Sequence, residues 1–416
     1  MSDEVMDIPV DWDVTTLGEV NTLRSRTLVP GTFPDEVFEY YSIPDYQNGE
    51  RPGRVAGRTI ASAKLQLKPK SVLFGKLNPR VEKIWRVGAL NGLRQIGSTE
   101  WIPVLPDARM DPDFLYFLEW SDHVMPKAKT LVSGSTPSRQ RVDPTSFYKI
   151  RVPLPPLPEQ QRIAQVLSTV QEAIAQQERL IRTTTELKQA LMQKLFTEGL
   201  RGEALKETEI GRVPESWEVQ PLAEYCVHTA FGPRFSSDLY ASDGNVVTLR
   251  TTDMDEYGAI DYSEAPRARL DIEKYTDHIM QVNDVVVSRS GTCGITGVFE
   301  GHPLPVLPGA FLLRLRLNEK LAPQYLRHYF NSPVGAPRVQ QLAQGAIQKN
   351  ISGTRLKGLL VPVPRIEEQR AIAESIAQVD RKHLQITRKH SALQDLFRTL
   401  LHELMTGKVR VANPEK

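Results

Sequence analysis

Two cysteines, Cys226 and Cys293, are all that 416 residues contain, which excludes a disulfide framework and a four-thiolate zinc site. The eight histidines are scattered, and none stands in ligand spacing with a cysteine. Long apolar runs are missing too, and nothing approaches the roughly 18 residues of a membrane span. The opening MSDEVMDIPV is acidic where a secretory signal would be basic and then apolar, so a cytoplasmic location is expected. Neither sign of charge dominates: 52 Lys and Arg oppose 50 Asp and Glu, a net charge of +2.

Catalytic signatures are equally scarce. A phosphate loop needs Gly-x-x-x-x-Gly-Lys-Ser/Thr, but Gly75-Lys76 is followed by Leu77 and Gly407-Lys408 by Val409. A site for a flipped adenine needs Asn/Asp-Pro-Pro-Tyr/Phe. Asn78-Pro79-Arg80 and Asp111-Pro112-Asp113 lack its second proline and its aromatic residue. The nuclease-like pairs Glu186-x-Lys188 and Asp380-x-Lys382 have no companion acid nearby in sequence. A chain without catalysis of its own is expected.

What is present is a repeat. Trp12-Asp13-Val14 with Leu17 returns 205 residues later as Trp217-Glu218-Val219 with Leu222. The segment from Pro153 to Gly202 aligns without gaps on Pro362 to Val411, an offset of 209, with Glu159-Gln160 matching Glu368-Gln369 and Arg201 matching Arg410.

Both repeated tails carry the 4-3 spacing of a coiled-coil seam. The first seam is Ile163, Leu167, Val170, Ile174, Gln177, Ile181, Thr184, Lys188, Leu191 and Leu195. The second is Ile372, Ile376, Val379, His383, Ile386, His390, Leu393, Phe397, Leu400 and Leu404. The polar members are expected to set register rather than bind metal. Proline-rich leads, Pro153 to Pro158 and Pro362 to Pro364, fix where each helix starts, and Gly199 and Gly407 mark the ends.

The globular parts mix strand-like runs (71–75, 284–288) with helix-like runs after a proline (113–120, 324–330). The expected fold is α/β (α+β): two similar globular domains separated by two long antiparallel coiled-coil helices, an internal repeat with pseudo-two-fold symmetry. The boundaries are 1–152 for the first domain, 153–205 for the first helix, 206–361 for the second domain, 362–411 for the second helix and 412–416 for a tail.

The mild overall charge hides local asymmetry. Residues 51–94 hold eleven Lys or Arg against the single acid Glu82, a balance of +10. Residues 327–360 hold five and no acid.

Pro-x-Pro-x-x-x-Glu-Gln-x-x-Ile-Ala opens each helix, and Leu-Leu-x-x-Leu-Met-Thr-Gly-Lys-Val closes the second. With Tyr40-Tyr-Ser-Ile-Pro44, Phe74-Gly-Lys-Leu-Asn-Pro79, Ser288-Arg-Ser-Gly291 and Gln348-Lys-Asn-Ile-Ser352, this order of parts resembles the specificity subunits of type I restriction-modification systems. The resemblance covers nearly the whole chain. It implies that the globular parts are target recognition domains for a bipartite, asymmetric sequence in double-stranded DNA. It implies that the helices are a spacer on which two methyltransferase subunits dock, joined by ATP-dependent restriction/translocase subunits. S-adenosylmethionine, ATP and Mg would then belong to those partners, with no cofactor on this chain. One departure is Ser135-Thr-Pro-Ser-Arg-Gln-Arg141, which stands where the second copy has Ala346-Ile-Gln-Lys-Asn350.

On that reading Lys and Arg should grip phosphates, while Arg, Asn, Gln, Ser and Thr read base edges. Candidates in the first domain are Lys76, Asn78, Arg80 and Lys83, with Ser133, Ser135, Arg139, Gln140 and Arg141. Those in the second are Arg250, Thr251, Arg289, Ser290 and Thr292, with Gln344, Gln348, Lys349 and Asn350. Lys83 is expected to be a phosphate contact and Asn350 a base contact. The alternative is a coiled-coil scaffold that binds proteins instead of DNA; the basic stretch and the matched polar loops favour DNA.

Overall fold

The computed structural model describes residues 7–24, 26–344 and 350–411. It forms two compact units: residues up to 177 together with those from 389 onward, and residues 178–388. The two long helices, Leu157–Glu198 and Ile366–Met405, are therefore not bodies of their own, since each unit takes one globular part and a portion of both helices. No described helix is long and apolar enough to cross a membrane.

Each globular part is closed by an antiparallel pairing of an early strand with its last, and in the second unit a hairpin of Leu205–Thr208 and Gly211–Pro214 comes before that early strand. In the first unit Asp13–Thr16 pairs with Arg151–Leu154, and in the second Glu218–Pro221 pairs with Leu360–Val363. This delivers the chain to the helix start in the same way twice.

The rest is mixed sheet. The first unit has a five-stranded sheet, ordered Thr27–Leu28, Lys64–Gln66, Arg94–Gly97, Val37–Tyr41 and Gly53–Ala56. A three-stranded sheet centres on Val72–Gly75, flanked by Ile84–Arg86 and Trp101–Val104. In the second unit Cys226–Phe231, Leu312–Leu317, Val285–Ser288 and Thr296–Val298 form an antiparallel four-stranded sheet. Arg267–Ala268, Val246–Leu249 and Val306–Pro308 form a second sheet. Among the described residues each unit has one parallel pair, Val37–Tyr41 with Arg94–Gly97 and Val246–Leu249 with Val306–Pro308, so the sheets are predominantly antiparallel.

The helices expected after proline run Pro112–Trp120 and Pro323–Phe330. The lead to the first long helix is shorter than expected. Pro158 lies inside the first turn, where its missing N–H costs nothing because that donor has no helical partner anyway.

Within each unit the two long helices run antiparallel. Ile163, Ala164 and Leu167 share the first core with Phe397, Leu400 and Leu404, while Met192, Leu195 and Phe196 share the second with Ile372 and Ile376. Every seam position is buried or half-buried, whereas Leu187 and Leu396, off the seam, are exposed. In the second unit Lys188 is paired to Asp380 at 2.6 Å, and the Thr184 hydroxyl lies 3.1 Å from His383 Nδ1. These polar contacts hold a register that apolar seam residues alone would leave free to slip.

The repeated Glu-Gln dipeptide is the joint between globular part and helix. Buried Gln160 accepts from the Asp111 N–H at 2.8 Å and donates to the carbonyls of Arg109 (2.9 Å) and Pro155 (2.8 Å). Gln369 repeats the set, accepting from the Ala322 N–H (2.7 Å) and donating to Lys320 and Pro364 (both 2.9 Å). The acid beside it takes the end of the other helix. Glu159 binds Arg410 at 2.6 Å and the Trp12 indole N–H at 3.1 Å, and Glu368 accepts from the Leu200 N–H and faces Arg201. Gly199 (φ +66°) and Gly407 (φ +70°) end the helices in a left-handed turn beneath Trp217 and Trp12, where a Cβ would strike neighbouring atoms.

Candidate nucleic-acid interface

In the first unit, chain leaving the buried strand Val72–Gly75 pairs with chain from the polar loop before the helix lead. Asn78 N–H donates to Gln140 O (2.8 Å) and Val142 N–H to Lys76 O (3.0 Å), a bridge centred on Leu77 and Arg141. Segments more than fifty residues apart in sequence thus form one edge. Val132–Ser133 completes it by pairing with Arg141–Val142.

The second unit repeats this device. Chain leaving Val285–Ser288 forms a bridge between Ser290 and Asn350, and Ile351 N–H donates to Arg289 O at 2.9 Å. Gln344 and Asn350 exchange backbone bonds of 3.0 and 2.8 Å. Arg250 and Thr251 follow Val246–Leu249, a strand of the other sheet of this unit, which is tied to the turn at Gly309 by the Gly309 N–H donating to Leu249 O. Gln348 and Lys349 lie outside the described residues.

The candidate side chains divide once their partners are seen. Arg80, Ser133, Ser135, Arg139, Thr292, Gln344 and Asn350 are exposed; Lys76, Gln140 and Arg289 are half-buried. Asn78 is half-buried at φ +48°, with its side-chain oxygen buried. Ser290 is buried. Arg141 is exposed but spends its fork on Glu100, from 3.1 Å. Arg250 is similarly committed to buried Asp253 (2.7 Å) and the Glu264 carbonyl (2.6 Å). Lys76, Arg80, Arg139 and Arg289 make no ion pair among the described residues.

Lys83 requires a correction. It is 4% exposed, its ammonium donates to the carbonyls of Val81 and Asn78, and burial pushes its pKa below the ordinary lysine value. It closes the turn after the buried strand, and Gly75 leaves it room, since a Cβ there would lie 2.8 Å from the Lys83 Cβ. Lys83→Met should therefore lower stability by about 1–2 kcal/mol, through the Val81 carbonyl that loses its donor and the Asn78 carbonyl that keeps only the Val81 N–H. It should leave the salt dependence of DNA binding unchanged. A salt slope smaller by about one, with unaltered denaturation, would restore Lys83 as a phosphate contact.

The +10 stretch is also less positive in space than in sequence. Arg58, Arg86 and Arg94 pair with Asp35, Asp113 and Glu36, all outside it, and Lys64 is buried against Ser62. Two features escaped the sequence reading altogether: the carboxylate that occupies Arg141, and the half-exposed aromatic ring of Phe231 beside Arg289.

The model for the type I restriction modification DNA specificity domain matches twice, at residues 9–183 and 214–393. The MjaVIII specificity subunit of Methanocaldococcus jannaschii, a type I restriction enzyme subunit, is 26% identical over 98% of this chain and 95% of its own length. The EcoKI specificity subunit of Escherichia coli is 24% identical over 70% of this chain and 64% of its own. Two solved structures share the fold. The type I restriction-modification S subunit of M. genitalium has a TM-score of 0.60 at 15% identity, covering 96% of this chain and 99% of that one. A chain from a type I R-M structure concerned with complex assembly and conformational transition has a TM-score of 0.59 at 20% identity, covering 97% and 99%. A family domain matched once in each half, on a fold that builds the same strand-end edge twice, makes this chain a member of the type I restriction-modification DNA specificity family, a specificity subunit with two recognition domains.

Proposed function

We propose that each unit reads one half of a bipartite, asymmetric site in double-stranded DNA, using the edge built at the end of its buried strand. The observation that carries this is the duplicated bridge, Leu77 with Arg141 and Ser290 with Asn350, which brings polar and basic segments from distant parts of the chain to corresponding places. Phosphate contacts fall to uncommitted cations such as Lys76, Arg80 and Arg139, and base contacts to Ser133, Ser135, Gln140, Arg289, Thr292, Gln344 and Asn350. Different side chains on a common frame give two different half-sites.

The chain itself performs no chemistry on this reading. It docks two methyltransferase subunits and the ATP-dependent restriction/translocase subunits, in the cytoplasm. S-adenosylmethionine, ATP and Mg serve those partners.

Exchange of residues 1–152 for the corresponding domain of another specificity subunit tests the division of labour. Mapping methylated positions in a host carrying the complete system should show one half of the target changed and the other retained. Change in both halves would mean that the units do not read independently. The isolated chain should bind duplex DNA with strong salt dependence and transfer no methyl group. Methyl transfer by the pure subunit would overturn the non-catalytic assignment.

A further inference from the structure

We infer that Arg289 reads a guanine in the half-site of the second unit and that Phe231 is its positioning residue. The inference rests on the DNA-reading role proposed above and assigns it a base and a device. The Arg289 guanidinium carbon lies 4.4 Å from the centre of the Phe231 ring. That ring is 42% exposed at the end of strand Cys226–Phe231, over Gly353, where a Cβ would sit 3.4 Å from its tip. A guanidinium stacked by its face keeps its edge, with its row of N–H donors, for another partner.

The main chain of Arg289 is pinned as firmly. Its N–H donates to Phe311 O at 2.9 Å, and its carbonyl accepts from the Ile351 N–H at 2.9 Å and the Cys293 thiol at 3.1 Å. The loop beyond is closed by Ser288 Oγ donating to Thr292 O and by Gly294 N–H donating to Ser288 O. Yet the guanidinium meets no carboxylate and no hydrogen-bond acceptor among the described residues. In this it differs from Arg141 and Arg250, whose forks are filled.

An arginine fixed at backbone and face but open at its edge has met its ordering cost in advance. A directional pair of acceptors exploits that preparation; two phosphate oxygens can supply one, but exposed Thr292 and Asn350 beside Arg289 belong to the polar edge assigned above to base reading and favour a base. In the major groove that pair is guanine O6 and N7. The surroundings suit a groove: Gly291, at φ +76°, has open space where a Cβ would be, Thr292 is exposed, and the Ser290 bridge sets exposed Asn350 alongside.

The test uses the full chain assembled with its methyltransferase subunits. Once methylation mapping has given the target, duplexes are made with each guanine of the second half-site replaced in turn by 7-deazaguanine, which lacks the N7 acceptor. The wild-type complex should lose about tenfold or more in affinity at one such guanine. Arg289→Ala should be indifferent to that replacement while still responding at other positions, and Arg289→Lys should preserve the salt slope. Phe231→Leu should weaken discrimination at the same guanine alone, and Phe231→Tyr, which keeps the stacking face, should restore it. A uniform loss across all sequences in Arg289→Ala with a reduced salt slope would make Arg289 a phosphate contact and overturn the inference, as would sensitivity of Arg289→Ala to 7-deazaguanine equal to wild type. Failure of the wild-type complex to prefer the mapped duplex over random DNA would instead strike the DNA-reading role itself.

Discussion

Gln160→Met is expected to destabilise the protein by about 3 kcal/mol or more, although it keeps the volume and the straight chain of glutamine. The Gln160 amide is fully buried and makes three hydrogen bonds, each to main chain that has no other partner among the described residues: Asp111 N–H, Arg109 O and Pro155 O. Removing the amide leaves one donor and two acceptors without their bonds, and an orphaned buried group costs about 1–3 kcal/mol. Gln160→Glu should be worse still near neutral pH, because a carboxylate would face two carbonyl oxygens with no proton to offer. Gln369→Met should cost a similar amount, since its three bonds have the same geometry. The two sites belong to different units and share no partner, so the double variant should lose nearly the sum. Chemical denaturation of the two single variants and the double variant checks all of this. Losses below about 1 kcal/mol would mean that water replaces the amide at little cost.

That dipeptide shows what sequence can and cannot disclose. Its recurrence at an offset of 209 was visible, and so was the start of a helix beside it, because spacing and proline are local properties. Its duty was not visible, since two of the three backbone groups it satisfies, Asp111 N–H and Arg109 O, lie some fifty residues away in sequence. The seam was legible for the same local reason, including the polar positions that proved to hold Lys188 against Asp380.

For the candidate interface, position along the chain was legible and the partners of each side chain were not. Basic and polar residues near the ends of buried strands could be picked out by pattern. Which of them are spent elsewhere depends on partners brought in by the fold: Glu100 for Arg141, Asp253 for Arg250, and the carbonyls of Asn78 and Val81 for Lys83. Counting charge along the chain overstated the first basic stretch in the same way, because Asp35, Glu36 and Asp113 enter from outside it.

The repeat also exposes two residues that the fold tolerates rather than needs, and each should leave a signature in the pH dependence of stability. Aligned on their first prolines, Pro112 and Pro323, the short helices place Phe117 opposite His328 and Glu119 opposite Phe330. Each copy thus buries a titratable side chain where the other has phenylalanine. His328 is 4% exposed beside Arg327 and Lys188, on a cleft of about 910 Å³ that Glu374 and Asp380 also line. Burial first, and then those two cations, push its pKa from 6.5 down to about 3. The native state therefore prefers neutral imidazole. The stability this lends is complete above about pH 6.5 and drains away as the pH falls toward 3, on the order of 5 kcal/mol across that window. Glu119 is wholly buried with neither carboxyl oxygen hydrogen-bonded, and burial pushes its pKa well above 4.5. Here the native state prefers the protonated acid, so the contribution is complete below about pH 4.5 and shrinks as the pH climbs from there. His328→Phe, borrowing the residue of the first copy, should flatten the acid limb between pH 6.5 and 3 and leave the neutral side as it was. Glu119→Leu should do the reverse, raising stability at pH 7 by about 1–3 kcal/mol or more, because an unpaired buried carboxyl is removed. Denaturation midpoints of both variants from pH 3 to 8 decide the matter. An acid limb unchanged by His328→Phe would mean that solvent in the cleft already reaches the imidazole, and no gain at pH 7 from Glu119→Leu would mean that its carboxyl is satisfied in solution.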